Sequence, residues 1–193
     1  MAVELSKLTD EDLMALVQQS NQTAFSVLVK RYAQRFYTLA YRTLFNQSEA
    51  EDIVQEAFLK IWHKPFSWDA KKNTKFTTWF YRIVVNSCYD HNKKKKPLTC
   101  SLTEPFDMPM ADLNSCESVQ ETQLALLDIA IKQLPERQRI ALNLCFYEGL
   151  SNAEAALIMG LKLKALQSLV MRARTTLKAI LKTQVDALNG ELS

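Results

Sequence analysis

The sequence predicts an all-α protein made of two small helical domains that a flexible linker joins. Its apolar residues recur every three or four positions through most of the chain, which is the spacing of amphipathic helices. The chain contains only 3 Gly and 5 Pro, too few to supply the turns of a many-stranded sandwich or barrel. Its 193 residues, 48% of them hydrophobic, are enough for one larger domain or two small ones with buried cores.

The first predicted helix is short and the second is long. Thr9 and Asp12 are typical of an N-cap followed by an acidic first turn. From Thr23 to Leu44, apolar residues recur at helical spacing without interruption. This pattern predicts one long amphipathic helix.

The third predicted helix begins at a capping box and ends before a proline. Ser48 and Glu51 have the S-x-x-E spacing of such a box, and Pro65 marks the end. A fourth helix has an apolar face that begins at Phe76, and it should end near Asn92.

A segment without helical periodicity divides the chain. Residues 97–120 contain three prolines and no basic residue, and their acidic residues follow no repeat. We therefore expect residues 1–96 to form a first domain, residues 97–120 a flexible linker and residues 121–193 a second domain.

The second domain is predicted to contain a helix-turn-helix, preceded by a helix that runs through Leu134 and by one more helix. Ser151 and Glu154 form a second capping box, and Gly160 closes the short helix that they open. A longer helix begins at Lys164. These dimensions are typical of a motif whose first helix braces the second in the major groove of DNA.

The outer face of this last helix is basic. From Lys162 to Lys182 there are six basic and no acidic residues, although the net charge of the whole chain is only +3. A solvated basic helix that binds nothing is the alternative, because such faces are common. The residues that we expect to contact duplex DNA are Lys162, Lys164, Ala165, Gln167, Ser168, Met171, Arg172, Arg174 and Lys178.

Two helices of the first domain also have distinctive outer faces. On the third helix, acidic and apolar side chains share a patch that suits a protein partner, with a solvated acidic face as the alternative. The residues of this patch are Asp52, Gln55, Glu56, Leu59 and Trp62. On the fourth helix, cations alternate with aromatic side chains, as in proteins that bind unpaired DNA, although Trp79 packed into the core is the alternative. The candidate contacts with unpaired DNA are Lys75, Phe76, Trp79, Arg82, Asn86 and Lys93.

The sequence lacks the signatures of several other classes of protein. No apolar run reaches the roughly 20 residues that span a bilayer, and the first residues do not resemble a signal peptide, so we expect a cytoplasmic protein without membrane insertion. No nucleotide-binding glycine loop or catalytic triad motif is present, so we expect neither enzymatic activity nor a cofactor. Cys88 and His91 have the spacing of one pair of metal ligands. A structural zinc site usually has two such pairs, so no metal is expected.

Four segments of the chain resemble one protein family. They are AEDIVQEAFLKIW and KFTTWFYRIVVNSCYDHNKKKK in the first domain, and LPERQRIALNLCFYEGLSNAEAALIMG and SLVMRARTTLKAIL in the second. Their sequences, order and spacing are similar to those of the extracytoplasmic-function sigma factors, which are transcription initiation factors of bacteria.

The resemblance implies a role for each surface. The patch on the third helix would bind the clamp of core RNA polymerase, the fourth helix would bind the minus-ten promoter element and aid its melting, and the helix-turn-helix would bind the minus-thirty-five element. The resemblance also implies a stress response controlled by an anti-sigma protein. Many family members have Lys where this chain has Gln167, whose amide suits adenine edges, so the promoter sequence does not carry over. The alternative is a dimeric helix-turn-helix regulator that acts without being a polymerase subunit.

Overall fold

The structure is a computed structural model that describes residues 5–69, 74–95 and 127–190. Every regular element in these ranges is helical, which confirms the all-α prediction. The elements are α1 (Asp10–Gln18), α2 (Gln22–Leu44), α3 (Gln47–His63), a 3₁₀ turn (Pro65–Ser67), α4 (Phe76–Lys95), α5 (127–132), α6 (Glu136–Leu142), a π-helical turn (Asn143–Tyr147), α7 (Asn152–Met159) and α8 (Leu163–Gly190). The predicted linker, residues 97–120, lies outside the described residues. None of the described helices has the length and apolar character that crossing a membrane requires.

Helices α1 to α4 form a bundle around an aromatic core. Phe36 of α2, Phe58 of α3 and Phe80 of α4 are buried. The ring centroid of Phe80 lies 4.4 Å from that of Phe36 and 4.9 Å from that of Phe58. Trp68, which follows the 3₁₀ turn, is also buried and packs on Phe76 with a centroid distance of 6.0 Å. Because aromatic rings bury large areas, this cluster fixes α4 against α2 and α3.

The first helices begin at polar side chains that cap them. Thr9 accepts a hydrogen bond from a backbone N–H of the first turn and opens α1 as predicted. The predicted start of α3 at a box formed by Ser48 and Glu51 is wrong. Its N-cap is Asn46, whose side chain accepts a hydrogen bond from the backbone N–H of Glu49 at 3.1 Å. Asn is as good an N-cap as Ser, and because it comes earlier in the chain, the helix begins before the predicted box.

Helices α7 and α8 form the predicted helix-turn-helix. The capping box is present, because the backbone N–H of Glu154 donates to the Ser151 hydroxyl and the backbone N–H of Ser151 donates to the Glu154 carboxylate. Gly160 ends α7 with a φ of 63°, a left-handed conformation that favours glycine. Along α8, Leu166 and Val170 are buried against the rest of the domain.

A π-helical turn that no sequence pattern indicates follows α6. It is closed by a wide hydrogen bond from the backbone N–H of Glu148 to the carbonyl oxygen of Asn143, at 3.0 Å. Leu144 of this turn is buried, whereas Phe146 and Tyr147 are 49% and 37% exposed. Turns of this kind are rare in proteins, and many of those that occur lie at functional sites.

The two halves of the chain pack against each other. Helix α4 lies against α7, and the buried residues of α1 to α4 form one apolar cluster with buried residues of α6 to α8. This cluster includes Val85 and Cys88 of α4 and Ala155 and Ala156 of α7. The structure therefore holds the helix-turn-helix directly on the first domain.

Candidate nucleic-acid interface

The outer face of α8 is a polar and basic surface. Its opposite side, which includes Leu166, Val170 and Ala173, is buried, so one face fixes the helix and the other faces solvent. All residues that the sequence assigned to duplex DNA are exposed, namely Lys162, Lys164, Ala165, Gln167, Ser168, Met171, Arg172, Arg174 and Lys178. The helix-turn-helix is therefore accessible to DNA even while it is packed on the first domain.

A shallow groove runs between the π-helical turn and α8. Its lining includes Phe146 and Asn152 on one side and Lys164, Gln167 and Arg174 on the other. The guanidinium carbon of Arg174 lies 4.5 Å from the ring centroid of Phe146. Ammonium and guanidinium groups bind phosphates, and carboxamides bind base edges. The groove thus combines candidate DNA-binding side chains of α8 with an aromatic wall supplied by the preceding turn.

The capping box fixes α7, the helix that braces α8. Hydrogen bonds from the Ser151 side chain and then from its backbone hold the pKa of Glu154 below its ordinary value. Because the pKa is lower in the folded state, this carboxylate stabilises the fold above its ordinary pKa of 4.5, and the contribution is lost as the pH falls through the folded value.

Replacing Ser151 with alanine should lower the free energy of unfolding by about 1 kcal/mol, because a backbone N–H of α7 loses its acceptor. Chemical denaturation at neutral pH measures this loss. Ser168→Ala makes the same change at an exposed position inside α8 and should alter stability by less than about 0.5 kcal/mol. Equal losses in the two variants would contradict the capping role.

The outer face of α4 and the residue that precedes it present most of the predicted contacts with unpaired DNA. The exposed members are Lys75, Arg82, Asn86 and Lys93. Trp79 is half-buried and lies at the edge of an apolar groove between α3 and α4, which Leu59 and Ile83 also line. The Trp79 ring therefore packs partly on its own domain and remains partly accessible.

Phe76 does not belong to this surface, and its assignment to DNA contact is wrong. It is fully buried, and its ring contacts Tyr32, Trp68 and Phe80 with centroid distances of 6.1, 6.0 and 5.7 Å. It lies one helical turn before Phe80, so both side chains point to the core side of α4.

Three polar residues of the patch on α3 are exposed, namely Asp52, Gln55 and Glu56. Leu59 beside them is 51% exposed, which is a large apolar area for a free surface. Trp62, in contrast, is half-buried, and its ring centroid lies 5.1 Å from that of Phe25. Apolar area next to acidic groups suits a protein partner with basic groups.

A buried carboxylate joins the two domains. Glu148, directly after the π-helical turn, has a side chain that is only 6% exposed. It accepts hydrogen bonds from Nε of Arg35 in α2, at 2.7 Å, and from the hydroxyl of Tyr81 in α4. Burial, and then the hydrogen bond to Glu148, raises the pKa of Tyr81, so its hydroxyl stays protonated and continues to donate.

Two further polar contacts cross the junction between the domains. The guanidinium carbon of Arg42 in α2 lies 4.0 Å from the ring centroid of Tyr147. The side-chain amide of Asn92 in α4 donates a hydrogen bond to Glu136 in α6. Sequence reasoning did not assign a function to any of these residues, because periodicity carries no information about pairs that are distant in the chain.

The accessible helix-turn-helix and the basic and aromatic face of α4 define a helical DNA-binding protein with two candidate nucleic-acid surfaces. Two family models match it: Sigma-70 region 2 matches residues 28–97, and Sigma-70, region 4 matches residues 124–177. The RNA polymerase sigma-H factor of Pseudomonas aeruginosa is 31% identical, over 92% of this chain and 96% of its own length. The ECF RNA polymerase sigma factor SigW of Bacillus subtilis is 31% identical, over 86% and 93%. The chain belongs to the extracytoplasmic-function family of RNA polymerase sigma factors.

Solved structures of similar fold agree with this assignment. CnrH, in complex with the cytosolic domain of CnrY, is 26% identical and aligns with a TM-score of 0.66 over 90% of this chain and 97% of CnrH. The sigma factor RpoE of Bartonella quintana, in complex with the anti-sigma factor NepR, is 23% identical and aligns with a TM-score of 0.61 over 82% and 96%. The resemblance that the sequence segments indicated is confirmed, and it is favoured over a dimeric regulator.

Proposed function

We propose that this chain is a dissociable specificity subunit of bacterial RNA polymerase that directs the core enzyme to stress-response promoters. The observation that carries the proposal is the presence, in one chain of this family, of two matched regions that each present a face with exposed basic side chains. The first domain, residues 1–96, binds core polymerase and the minus-ten element, and the second, residues 121–193, binds the minus-thirty-five element. The chain acts in the cytoplasm, where polymerase and promoter DNA are found.

The second domain reads duplex DNA through α8. Its exposed Lys and Arg side chains bind phosphates and fix the position of the helix, while Gln167 contacts a base edge in the major groove. The buried side of α8 and the capped α7 hold this surface rigid.

The first domain stabilises the melted strand through α4. Unstacking a base costs a few kcal/mol, and stacking on an aromatic side chain returns roughly 1 to 3 kcal/mol per base. Trp79 offers such a surface, with Arg82 and Asn86 exposed on the same helix to bind phosphate and base. The proposed role needs binding energy alone, so the chain acts without catalysing a reaction.

Promoter binding requires the two domains to separate. Elements centred about 25 base pairs apart lie roughly 85 Å apart along B-DNA, at about 3.4 Å per base pair. In the structure α4 and α7 are packed helices, whose axes lie only about 10 Å apart. The closed arrangement of the free chain therefore opens when the promoter complex forms.

An anti-sigma protein is the proposed regulator of this chain. A sigma factor of similar fold has been solved in complex with an anti-sigma factor. In this chain, the exposed Leu59 and the acidic groups of α3 offer one surface for such a partner. The partner would compete with polymerase for that surface.

Transcription in vitro tests the proposal. The purified chain with core polymerase should give specific transcripts from promoters of its own genome, and neither component alone should do so. Asp52→Ala should weaken binding to core polymerase by about tenfold, because it removes an exposed charge from the α3 patch. Asp128→Ala, at an exposed acid outside that patch, is the matched control and should bind normally. A dimer that protects duplex promoter DNA without polymerase would contradict the proposal.

A further inference from the structure

We propose that Phe146 is a positioning residue for promoter binding, because its ring holds the guanidinium of Arg174 in place to bind a DNA phosphate. The inference rests on the proposed function of α8. It adds a residue outside the helix-turn-helix to the machinery that binds the minus-thirty-five element.

The contact between the two side chains has the geometry of a cation–π pair. The guanidinium carbon of Arg174 lies 4.5 Å from the ring centroid of Phe146, within the roughly 6 Å range of such attraction. Both side chains are exposed and line the groove between the π-helical turn and α8. Among the described residues, Arg174 has no hydrogen bond or acidic partner, so its N–H groups remain available to a ligand.

A stacked guanidinium is well suited to bind a phosphate. Stacking uses the faces of the planar group, whereas its five N–H donors lie around the edge. A free arginine side chain loses rotamer entropy when it is fixed, because it has several rotatable bonds. An arginine that is already held against a ring loses less of this freedom on binding, so the same phosphate contact yields more affinity.

The position of Arg174 on α8 fits a phosphate contact. It lies two helical turns after Gln167, so the two side chains share one face of the helix about 10 Å apart along its axis. When Gln167 reaches into the major groove, Arg174 on the same face reaches the flank of the groove, where the phosphates lie. Phosphate contacts of this kind fix the register of the recognition helix.

The π-helical turn explains why Phe146 is available for this role. The turn buries Leu144 and leaves Phe146 and Tyr147 at the surface, where an ordinary protein buries such rings. Each ring holds a different arginine, because Tyr147 contacts Arg42 of the first domain. The two neighbours thus provide a matched pair, one at the DNA surface and one at the junction between domains.

Promoter affinity of the holoenzyme, measured on a duplex that contains the minus-thirty-five element, tests the inference. Phe146→Leu should weaken binding by about two- to fivefold, since an exposed cation–π contact is lost. Phe146→Tyr keeps the ring and should stay within about twofold of the wild type. Tyr147→Leu is the control from the same turn. Its ring contacts Arg42 and not Arg174, so its affinity for a duplex that carries the minus-thirty-five element alone should be unchanged. Thermal denaturation of each variant checks that it is folded.

A double-mutant cycle separates positioning from a direct contact of Phe146 with DNA. Arg174→Ala should weaken binding more than Phe146→Leu does, and adding Phe146→Leu to Arg174→Ala should have no further effect. A loss caused by Phe146→Leu in the Arg174→Ala background would assign Phe146 to the DNA itself and overturn the inference. Normal affinity of Phe146→Leu, or of Arg174→Ala, would also overturn it while leaving the proposed function intact. A wild-type holoenzyme that binds no promoter would refute the proposed function and the inference together.

Discussion

Replacing Phe80 with alanine should lower the free energy of unfolding by about 3 to 5 kcal/mol. Phe80 is fully buried in α4, and its ring contacts Phe36 of α2, Phe58 of α3 and Phe76 of its own helix. The substitution removes the apolar contacts and leaves a cavity walled by three rings, which the surrounding helices cannot fill by a small movement. A loss of this size is a large part of the 5 to 15 kcal/mol that typically stabilises a protein.

Chemical denaturation measures the effect, and the chain contains a matched control. Phe66 lies in the 3₁₀ turn and is 74% exposed, so Phe66→Ala makes the same chemical change with little loss of burial. We expect it to alter the free energy of unfolding by less than about 0.5 kcal/mol. Similar losses in the two variants would show that the ring cluster around Phe80 does not hold the first domain together.

The core side of α4 matters for function because the same helix carries the candidate contacts with unpaired DNA. Phe80 fixes the rotation of α4, and that rotation directs Arg82 and Asn86 to solvent. A variant with a loosened core should therefore lose minus-ten binding through disorder of the helix. Such a loss must be separated from a direct role by comparing stability and binding in each variant.

Helical periodicity predicted most of the fold, and local chemistry predicted part of the helix ends. The long apolar stripe of α2 and the box of Ser151 and Glu154 were predicted from sequence and are confirmed. The box at Ser48 and Glu51 is wrong because an S-x-x-E pattern also occurs by chance inside a first turn. The π-helical turn was not predicted from sequence. One additional residue shifts the apolar repeat, but the helix is too short for its apolar residues to reveal the shift.

The candidate site was predicted less completely than the fold. The basic face of α8 follows from spacing alone, because its apolar stripe defines the opposite side. Phe76 was assigned to DNA although it shares the four-residue spacing of Phe80 and Val84, which marks the core side. The sequence marked Glu148 only as part of a segment shared with the family and predicted no contact for its side chain. Its partner Arg35 is 113 positions away, and no pattern within a helix indicates such a pair.

Replacing Glu148 with alanine should open the free chain. The variant leaves the buried hydroxyl of Tyr81 without its acceptor, at a cost of about 1 to 3 kcal/mol in the closed form. Arg35, whose side chain is 44% exposed, is rehydrated and adds little to this cost. The ratio of closed to open chains should therefore fall by roughly 5- to 150-fold.

Small-angle scattering measures the opening as an increase in the radius of gyration. Glu148→Gln keeps an oxygen that can accept from Tyr81 but loses the charge that attracts Arg35, so its radius should lie between those of the wild type and the alanine variant. Glu11→Ala removes an exposed carboxylate from the first turn of α1 and is the control. A Glu148→Ala chain as compact as the wild type would mean that the apolar contacts between α4 and α7 suffice for closure.

Separation of the two domains in Glu148→Ala should also change promoter binding. Whether the affinity for a given DNA rises or stays the same depends on which surfaces the closed chain covers. The DNA face of α8 is exposed in the closed chain, so binding to an isolated minus-thirty-five duplex should change little in Glu148→Ala. If a complete promoter binds only separated domains, as proposed above, the apparent affinity is the affinity of the open form multiplied by the fraction of chains that are open. At limiting concentrations the variant should therefore assemble promoter complexes with core polymerase more readily than the wild type. Because only the two-element promoter should respond, comparing it with the single element separates domain opening from any change in the helix-turn-helix itself.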